Sequence, residues 1–200
     1  MARTKAFDTN EVLHKAMKVF GSRGYEGTTL PDLLTGLGIA RQSLYDTYGT
    51  KRDLFVTAVK YYMDRKNRDL LELMDQPGAV IDKVKLAFTT MISALADPEL
   101  RRECFIISSA IEQAPHDEEL AAYIRSNTEQ VEQAFYSMLE RGKERGEIDS
   151  ETHIRELARF LAHERISLVV AAKMGMDEQN LYGIMRMVLS ILKANESGNE

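Results

Sequence analysis

Hydrophobic and polar residues alternate at helical spacing in two short stretches between positions 28 and 51. Leucines stand at positions 30, 33, 34 and 37, and Thr29 precedes them as an N-cap. Gly36 and Gly38 then interrupt the pattern. These signals predict a helix of about two turns that ends in a tight glycine-containing turn.

A second short helix follows, with Ile39, Leu44 and Tyr48 as inward anchors and Gly49 at its C-terminal end. The positions between the anchors are predicted to point outward, and they hold Arg41, Gln42, Ser43, Tyr45, Asp46 and Thr47. Two short helices joined by a tight turn, the second presenting polar and aromatic side chains, are typical of a DNA-binding helix-turn-helix.

The rest of the chain has the pattern of helices only. Asp8 and Glu11 have capping-box spacing at the start of a first helix, and Thr50 and Asp53 repeat that spacing before a long helix from Lys51. The predicted helices span residues 8–24, 51–74, 79–96, 98–113, 117–145, 150–174 (capped by Ser150) and 178–194 (capped by Asp177). Since β-type alternation is absent, the predicted fold class is all-α. We expect a three-helix domain over 1–50 and a helical domain over 51–200.

The last two helices have apolar stripes broader than one surface helix needs. Such breadth predicts burial both within the chain and against a second copy, in a twofold four-helix bundle. A monomeric core packed on both sides is the alternative. The predicted interface residues are Leu157, Leu161, Leu168, Leu181, Ile184, Val188 and Ile191.

Charge is distributed unevenly along the chain. The net charge is −5 overall, yet residues 1–68 hold 12 Lys/Arg against 7 Asp/Glu. A positive N-terminal segment on an acidic chain is the asymmetry expected when one end contacts phosphate. Ahead of the first helix, Arg3 and Lys5 either follow a minor groove or belong to a solvated tail, and the final ESGNE is expected to fray.

The composition indicates where in the cell the protein is located. With 44% hydrophobic and 28% charged residues, the chain is globular, and no apolar run approaches the roughly 18 residues of a membrane span. The basic N-terminus has no apolar segment of a signal peptide, and one cysteine cannot form a disulfide within the chain. We therefore expect a cytoplasmic protein that does not contact membrane.

The segment FGSRGYEGTTLPDLLTGLGIARQSLYDTYGTKRDLF resembles the DNA-binding region of TetR/AcrR-type transcriptional regulators. The matching features are an aromatic and R-G-Y closing the first helix, T-T before the second, G-hydrophobic before the third, then L-Y-x-x-aromatic, T-K and L-F. The resemblance covers roughly residues 7–65. One departure is Ala40, which stands where the family usually has Ser or Thr, so the third helix lacks its N-cap at a cost of about 1 kcal/mol.

The motif assigns candidate DNA contacts. Arg41 and Gln42 lie on the first turn of the recognition helix, where Arg suits guanine O6/N7 and Gln suits adenine N6/N7. Ser43 and Tyr45 suit bases or phosphates. The resemblance implies phosphate contacts for Thr29, Thr47 and Lys51. The alternative for this set is an ordinary solvated helix face.

The resemblance also implies a small-molecule effector held between the later helices, in the family's usual manner. Met and aromatic side chains can line such a cavity, although they also form ordinary cores. The candidate effector residues are Phe88, Met91, Cys104, Phe105, Ser108, Phe135, Met138, Phe160 and His163. Cys104 follows two arginines, which would favour a reactive thiolate, yet a lone cysteine in an apolar helix is more often a core residue.

No catalytic or metal-binding pattern emerges. Glu11-x-x-His14 matches half of a carboxylate-bundle metal site, but no second Glu-x-x-His follows, and His163-Glu164 does not continue as H-E-x-x-H. No metal, cofactor or enzyme activity is therefore predicted.

Together these features predict a ligand-responsive repressor that binds a palindromic operator in double-stranded DNA as a homodimer. The alternatives are a regulator that senses electrophiles or redox state through Cys104, an activator, and, from another class, a helical protein-interaction adaptor.

Overall fold

The computed structural model describes residues 8–194, so Arg3, Lys5 and the final five residues lie outside the described residues. Within that range the chain forms α-helices and one 3₁₀ helix, and no strand. The α-helices are α1 Thr9–Arg23, α2 Leu30–Leu37, α3 Arg41–Tyr48, α4 Lys51–Asp75, α5 Val80–Ala96, α6 Pro98–Cys104, α7 Ile106–Gln113, α8 Glu118–Glu144, α9 Ile154–Lys173 and α10 Glu178–Ala194. The all-α prediction is confirmed.

Side-chain caps were predicted at five helix starts, and the structure contains four of them, at Asp8, Thr29, Thr50 and Asp177. Asp8 accepts the backbone N–H of Asn10 at 2.8 Å, and Asp177 accepts that of Asn180 at 2.8 Å. The other two caps, at Thr29 and Thr50, begin α2 and α4. Each cap satisfies backbone donors that a helix start otherwise leaves without partners.

The prediction of one helix over 98–113 is wrong. The helix is interrupted at Phe105, whose ψ of −9° turns the chain between α6 and α7. Both of these short helices pack on α1. The tertiary contact with α1 therefore outweighs the local helical pattern.

The prediction that Ser150 caps the ninth helix is also wrong. Asp149 accepts the backbone N–H of Glu151 at 2.7 Å, and Thr152 donates its backbone N–H to the Asp149 carbonyl at 3.1 Å. These local bonds form turns that compete with the helix. As a result α9 begins only at Ile154.

The chain divides into two compact units, and the first contains residues 8–64 and 98–123. Its core lies around Phe20 and Phe55, whose ring centroids are 5.0 Å apart. Both rings are almost completely buried, and burying a side chain of this size contributes about 1.5–3 kcal/mol. α2 packs on α1, the helix that contributes Phe20 to this core.

The second unit contains residues 65–97 and 124–194. Here α5 packs against α9 and α10, and the fully buried rings of the unit include Phe88 on α5 and Phe135 on α8. The carbonyl oxygen of Met74, at the C-terminal end of α4, accepts hydrogen bonds from Lys83 at 3.0 Å and Arg141 at 2.8 Å. Cations at a helix C-terminus stabilise carbonyls that lack helical partners.

None of the helices within residues 8–194 combines the length and the apolar character that crossing a bilayer requires.

Candidate nucleic-acid interface

The start of α2 is fixed by a reciprocal capping box. The Thr29 hydroxyl oxygen accepts the N–H of Asp32 at 3.3 Å, while Asp32 accepts the Thr29 N–H at 2.9 Å and the Thr29 O–H at 2.6 Å. These bonds from Thr29 hold the pKa of Asp32 below its ordinary value. The hydroxyl proton of Thr29, a predicted phosphate contact, is thus directed at Asp32.

The recognition-helix candidate α3 is held in place by residues on its inward face. Leu44 is fully buried, and the Tyr48 hydroxyl donates to the Thr9 carbonyl oxygen at 3.1 Å, which ties the end of α3 to the start of α1. Burial raises the pKa of the Tyr48 phenol. Ala40 provides no side-chain cap, as the sequence predicted. Gly49 ends the helix with a φ of 81°, a conformation that favours glycine.

The opposite face of α3 is open to solvent. Arg41, Gln42, Tyr45 and Asp46 are exposed, whereas Ser43 and Thr47 are half-buried. The Arg41 guanidinium lies 5.6 Å from the centre of the Tyr45 ring, one helical turn away. The Gln42 amide donates to Asp46 at 2.7 Å. Five of the seven predicted contacts therefore belong to α3: Arg41, Gln42, Ser43, Tyr45 and Thr47.

Lys51 begins α4 and is supported by an aromatic ring. Thr50 donates its N–H and O–H to Asp53 at 2.9 and 2.7 Å, and these bonds lower the pKa of Asp53. The Lys51 ammonium lies 4.4 Å from the centre of the Tyr25 ring. A cation over an aromatic face is attracted by the ring quadrupole, so Tyr25 holds the ammonium group near the helix start.

Tyr25 is itself held by aromatic packing. Its ring centroid is 4.8 Å from that of Phe55 and 6.3 Å from that of Phe20. Burial is the main reason that the pKa of the Tyr25 phenol is raised. The supporting role of Tyr25 was not predicted, because sequence spacing does not reveal a contact between residues 25 and 51.

Arg52, the neighbour of Lys51, has different partners. Its guanidinium donates to Asp117 at 2.6 and 2.9 Å and to Glu119 at 2.8 Å. Lys60 donates to the other oxygen of Glu119 at 2.9 Å. The bidentate contact with Arg52 is the main cause of the lowered pKa of Asp117. The Arg52 guanidinium is therefore occupied by ion pairs within the chain, whereas the ammonium of Lys51 lies over an aromatic ring.

A pocket of about 420 Å³ lies within the first unit, beside the ion pairs that Arg52 forms with Asp117 and Glu119. Its lining includes Tyr25, Phe55 and His116 together with Arg52 and three acidic side chains. The described residues contain no cluster of three or more His, Cys, Asp or Glu side chains arranged to hold a metal ion.

The predicted effector residues fall into two groups. Cys104, Phe105 and Ser108 belong to the first unit and the other six to the second. Phe88, Phe135, Met138, Cys104 and Ser108 are buried, Met91 and Phe105 are half-buried, and Phe160 and His163 are exposed. The Ser108 hydroxyl is buried without a hydrogen-bond partner.

Five of the seven predicted interface residues are already buried within the single chain: Leu157, Leu161, Leu168, Leu181 and Val188. Ile184 is half-buried, and Ile191 is 40% exposed. The same two helices also expose apolar side chains that were not predicted for the interface: Phe160, which was predicted for the effector pocket, and Val170 and Met187.

Two family models match the chain. "Bacterial regulatory proteins, tetR family" matches residues 12–58, and "Tetracyclin repressor-like, C-terminal domain" matches residues 71–188. The first match contains the capping box, α3 and Lys51 described above.

Curated relatives match over nearly their full length. The HTH-type transcriptional regulator YezE of Bacillus subtilis (strain 168), which is described as uncharacterized, is 51% identical over 96% of this chain and 100% of its own. The HTH-type transcriptional repressor ComR of Escherichia coli (strain K12) is 26% identical over 94% of this chain and 90% of its own.

Solved structures share the fold. A cysteine mutant of the TetR family transcriptional regulator CifR, complexed with 26-bp double-strand operator DNA, superposes with a TM-score of 0.81. It is 27% identical and covers 94% of this chain and 98% of its own. A TetR family regulator from Agrobacterium tumefaciens, 17% identical, has a TM-score of 0.80 and covers 91% of this chain and 95% of its own.

Proposed function

The chain belongs to the TetR family of bacterial regulatory proteins, and we propose that it is a ligand-responsive repressor that binds a palindromic operator as a homodimer. The chain is a DNA-binding helix-turn-helix transcriptional regulator and not an enzyme. The adaptor alternative is therefore not supported. The division at residue 50 between a DNA-binding and an effector-binding domain remains part of the proposal.

The observation that carries the proposal is the exposed face of α3, supported by a buried Leu44 and by the Tyr48 contact with α1. A short helix held rigidly from behind can enter a major groove without losing its own packing. Arg41 and Gln42 stand on its first turn, where their side chains would meet base edges.

Phosphate contacts would position the helix. Lys51 supplies a cation at the start of α4, and the Tyr25 ring holds it there. Thr47 and Ser43 are half-buried hydroxyls within α3 and would donate to the DNA backbone. Thr29 would do so by turning its hydroxyl proton away from Asp32.

Repression is proposed by analogy with relatives. ComR is named a transcriptional repressor, and the biofilm regulator IcaR of Staphylococcus aureus, 27% identical over 36% of this chain, is named a negative regulator. Bound at a promoter, the dimer would block polymerase sterically. An effector that binds the DNA-free state more tightly would shift the population away from DNA.

The homodimer is supported by the apolar side chains that α9 and α10 expose, including Phe160, Val170 and Ile191. Exposed apolar residues on neighbouring helices are typical of a surface that a second copy covers. A twofold dimer presents two recognition helices to half-sites about 34–36 Å apart on the DNA.

The effector residues remain a proposal as well. The buried Ser108 hydroxyl without a partner is the polar group that a ligand would satisfy most directly. Cys104 is only 3% exposed, and this burial disfavours the Cys104-sensing alternative because a sensing thiol must be accessible to its oxidant or electrophile.

The experiment is selection of duplexes from a randomised pool, followed by mobility shift with the selected duplex and a scrambled one. The proposal predicts a palindromic consensus and two protomers on each duplex. A consensus without twofold symmetry, or one protomer per duplex, would contradict it. Reporter expression from the selected site then distinguishes repressor from activator.

A further inference from the structure

Asp46 occupies an unusual place for an acidic residue. It lies exposed on α3, and it is the acidic side chain of the helix that is proposed to approach DNA phosphates. A carboxylate on such a surface repels the DNA backbone. Its presence therefore calls for a compensating contact.

That contact is the Gln42 amide, one helical turn earlier. Gln42 Nε2 donates to Asp46 Oδ1 at 2.7 Å, a short hydrogen bond between residues four apart on the same face. A carboxylate only accepts hydrogen bonds, so the contact requires the nitrogen side of the Gln42 amide to face Asp46. The carbonyl oxygen of the amide is thereby turned away from Asp46.

This orientation matters for base recognition. A primary amide has two N–H groups, and Asp46 occupies one of them. One N–H and the carbonyl oxygen remain, which are the donor and the acceptor that adenine N7 and N6 require. A free glutamine would instead lose rotamer freedom when it bound the base.

We propose that Asp46 is a positioning residue for sequence recognition, which fixes the Gln42 amide for adenine and weakens contact with DNA that lacks the matching base. The inference rests on the proposed role of α3 as the recognition helix. Repulsion between Asp46 and phosphates lowers affinity for all duplexes, while the oriented amide restores affinity for one sequence. The two effects together raise the ratio of specific to non-specific binding.

The test compares the full-length wild-type protein with Gln42→Ala, Asp46→Ala, Asp46→Asn and the double variant. Dissociation constants are measured for the selected duplex, for its single base-pair replacements and for random duplex, at one salt concentration. Thermal unfolding of each variant verifies that α3 and its unit remain folded.

Gln42→Ala is expected to reduce discrimination at one adenine-containing base pair about tenfold. Asp46→Ala is expected to reduce discrimination at the same base pair by several-fold and to raise affinity for random duplex. The double variant should lose no more at that base pair than Gln42→Ala alone. Asp46→Asn keeps an acceptor oxygen without the charge, so it should retain the base preference while random duplex binds more tightly.

Unchanged discrimination in Asp46→Ala would overturn the inference. So would a loss at a base pair other than the one that Gln42→Ala affects, because Asp46 would then read a base such as cytosine directly. In both cases Arg41→Ala would still impair sequence preference, and the proposed function would stand. If wild-type protein and Arg41→Ala bind selected and random duplexes equally, the proposed function fails together with this inference.

Discussion

A Cβ atom on Gly21 would lie 1.9 Å from the carbonyl oxygen of Arg102. Gly21 is buried in α1, and Arg102 belongs to α6, so the two helix backbones approach each other more closely than any side chain permits. Since α1 supports the recognition-helix candidate α3 through the Thr9–Tyr48 contact, this close approach belongs to the scaffold of the DNA-binding unit.

Gly21→Ala is therefore expected to destabilise the protein although alanine favours helix. The new methyl group must displace the α6 backbone, and overpacking of this kind costs about 1–3 kcal/mol. Ser22→Ala, one residue on and exposed, is the matched control and should change stability by less than about 0.5 kcal/mol. Urea unfolding measures both. Equal stability of Gly21→Ala and wild type would show that the two helices separate freely.

The two tyrosines of α3 should respond differently to loss of their hydroxyls. Tyr48→Phe removes the hydrogen bond to Thr9 and should lower the free energy of unfolding by about 0.5–1.5 kcal/mol. Tyr45→Phe changes an exposed residue and should leave stability unchanged while weakening DNA binding. Thermal unfolding and anisotropy titration with duplex DNA measure the two effects. If Tyr45→Phe lowered the stability of the protein, the assignment of Tyr45 to the solvent-exposed face of α3 would be contradicted.

Arg41 and Lys51 should separate base recognition from phosphate contact. Arg41→Ala is expected to cost about 1–3 kcal/mol on the selected duplex and to relax preference at one base pair. Lys51→Ala should weaken binding to all sequences alike and reduce the slope of log affinity against log salt by about 1. Lys85→Ala, which removes an exposed charge on α5, is the control. It should change neither the base preference nor the salt dependence of binding. Equal loss on selected and random duplex in Arg41→Ala would remove Arg41 from base recognition.

Asp117→Asn isolates the charge in the contact with Arg52. Asparagine can still accept the Leu120 N–H that caps α8, so the variant loses mainly the ionic part of the contact. Because the pKa of Asp117 is lowered in the folded state, its contribution is present above the ordinary carboxyl pKa of about 3.9 and is lost as pH falls through the folded-state value.

The variant should therefore be less stable than wild type at neutral pH, and the difference should vanish in acid. Unfolding midpoints measured between neutral pH and the acid limit of the folded state provide the check. Glu118→Gln, the exposed neighbour, is the control. A stability difference that persists unchanged to low pH would mean that charge is not what Asp117 contributes.

The proposed dimer is tested on α10. Ile191→Glu places a charge on a side chain that is 40% exposed in the single chain, so folding is retained while association is lost. Leu86→Glu, on an exposed α5 position, is the control and should remain dimeric. Sedimentation equilibrium measures the mass of each. Dimeric Ile191→Glu, or monomeric wild type, would contradict the proposed interface.

The sequence predicted most of the fold because helix starts are local. The caps at Asp8, Thr29, Thr50 and Asp177 are each set by residues two or three positions away, and these four of the five predicted caps are present. The break at Phe105 depends on packing with α1 and was missed.

The candidate site shows the same division between local and distant contacts. The exposed face of α3 follows from helical spacing, and the Gln42–Asp46 bond has the four-residue spacing that could have revealed it. The contacts of Lys51 with Tyr25 and of Arg52 with Asp117 join residues 26 and 65 positions apart along the chain, and a single sequence carries no signal for them.

The central claim is that α3 reads a DNA sequence as part of a twofold dimer. The most direct test is a titration of the selected duplex and a scrambled duplex with wild-type protein at several salt concentrations, with the mass of the complex measured in parallel. We predict two protomers on the selected duplex and an affinity at least about 10³-fold tighter than for the scrambled duplex at physiological salt. Equal affinity for both duplexes, or a single bound protomer, would contradict the account.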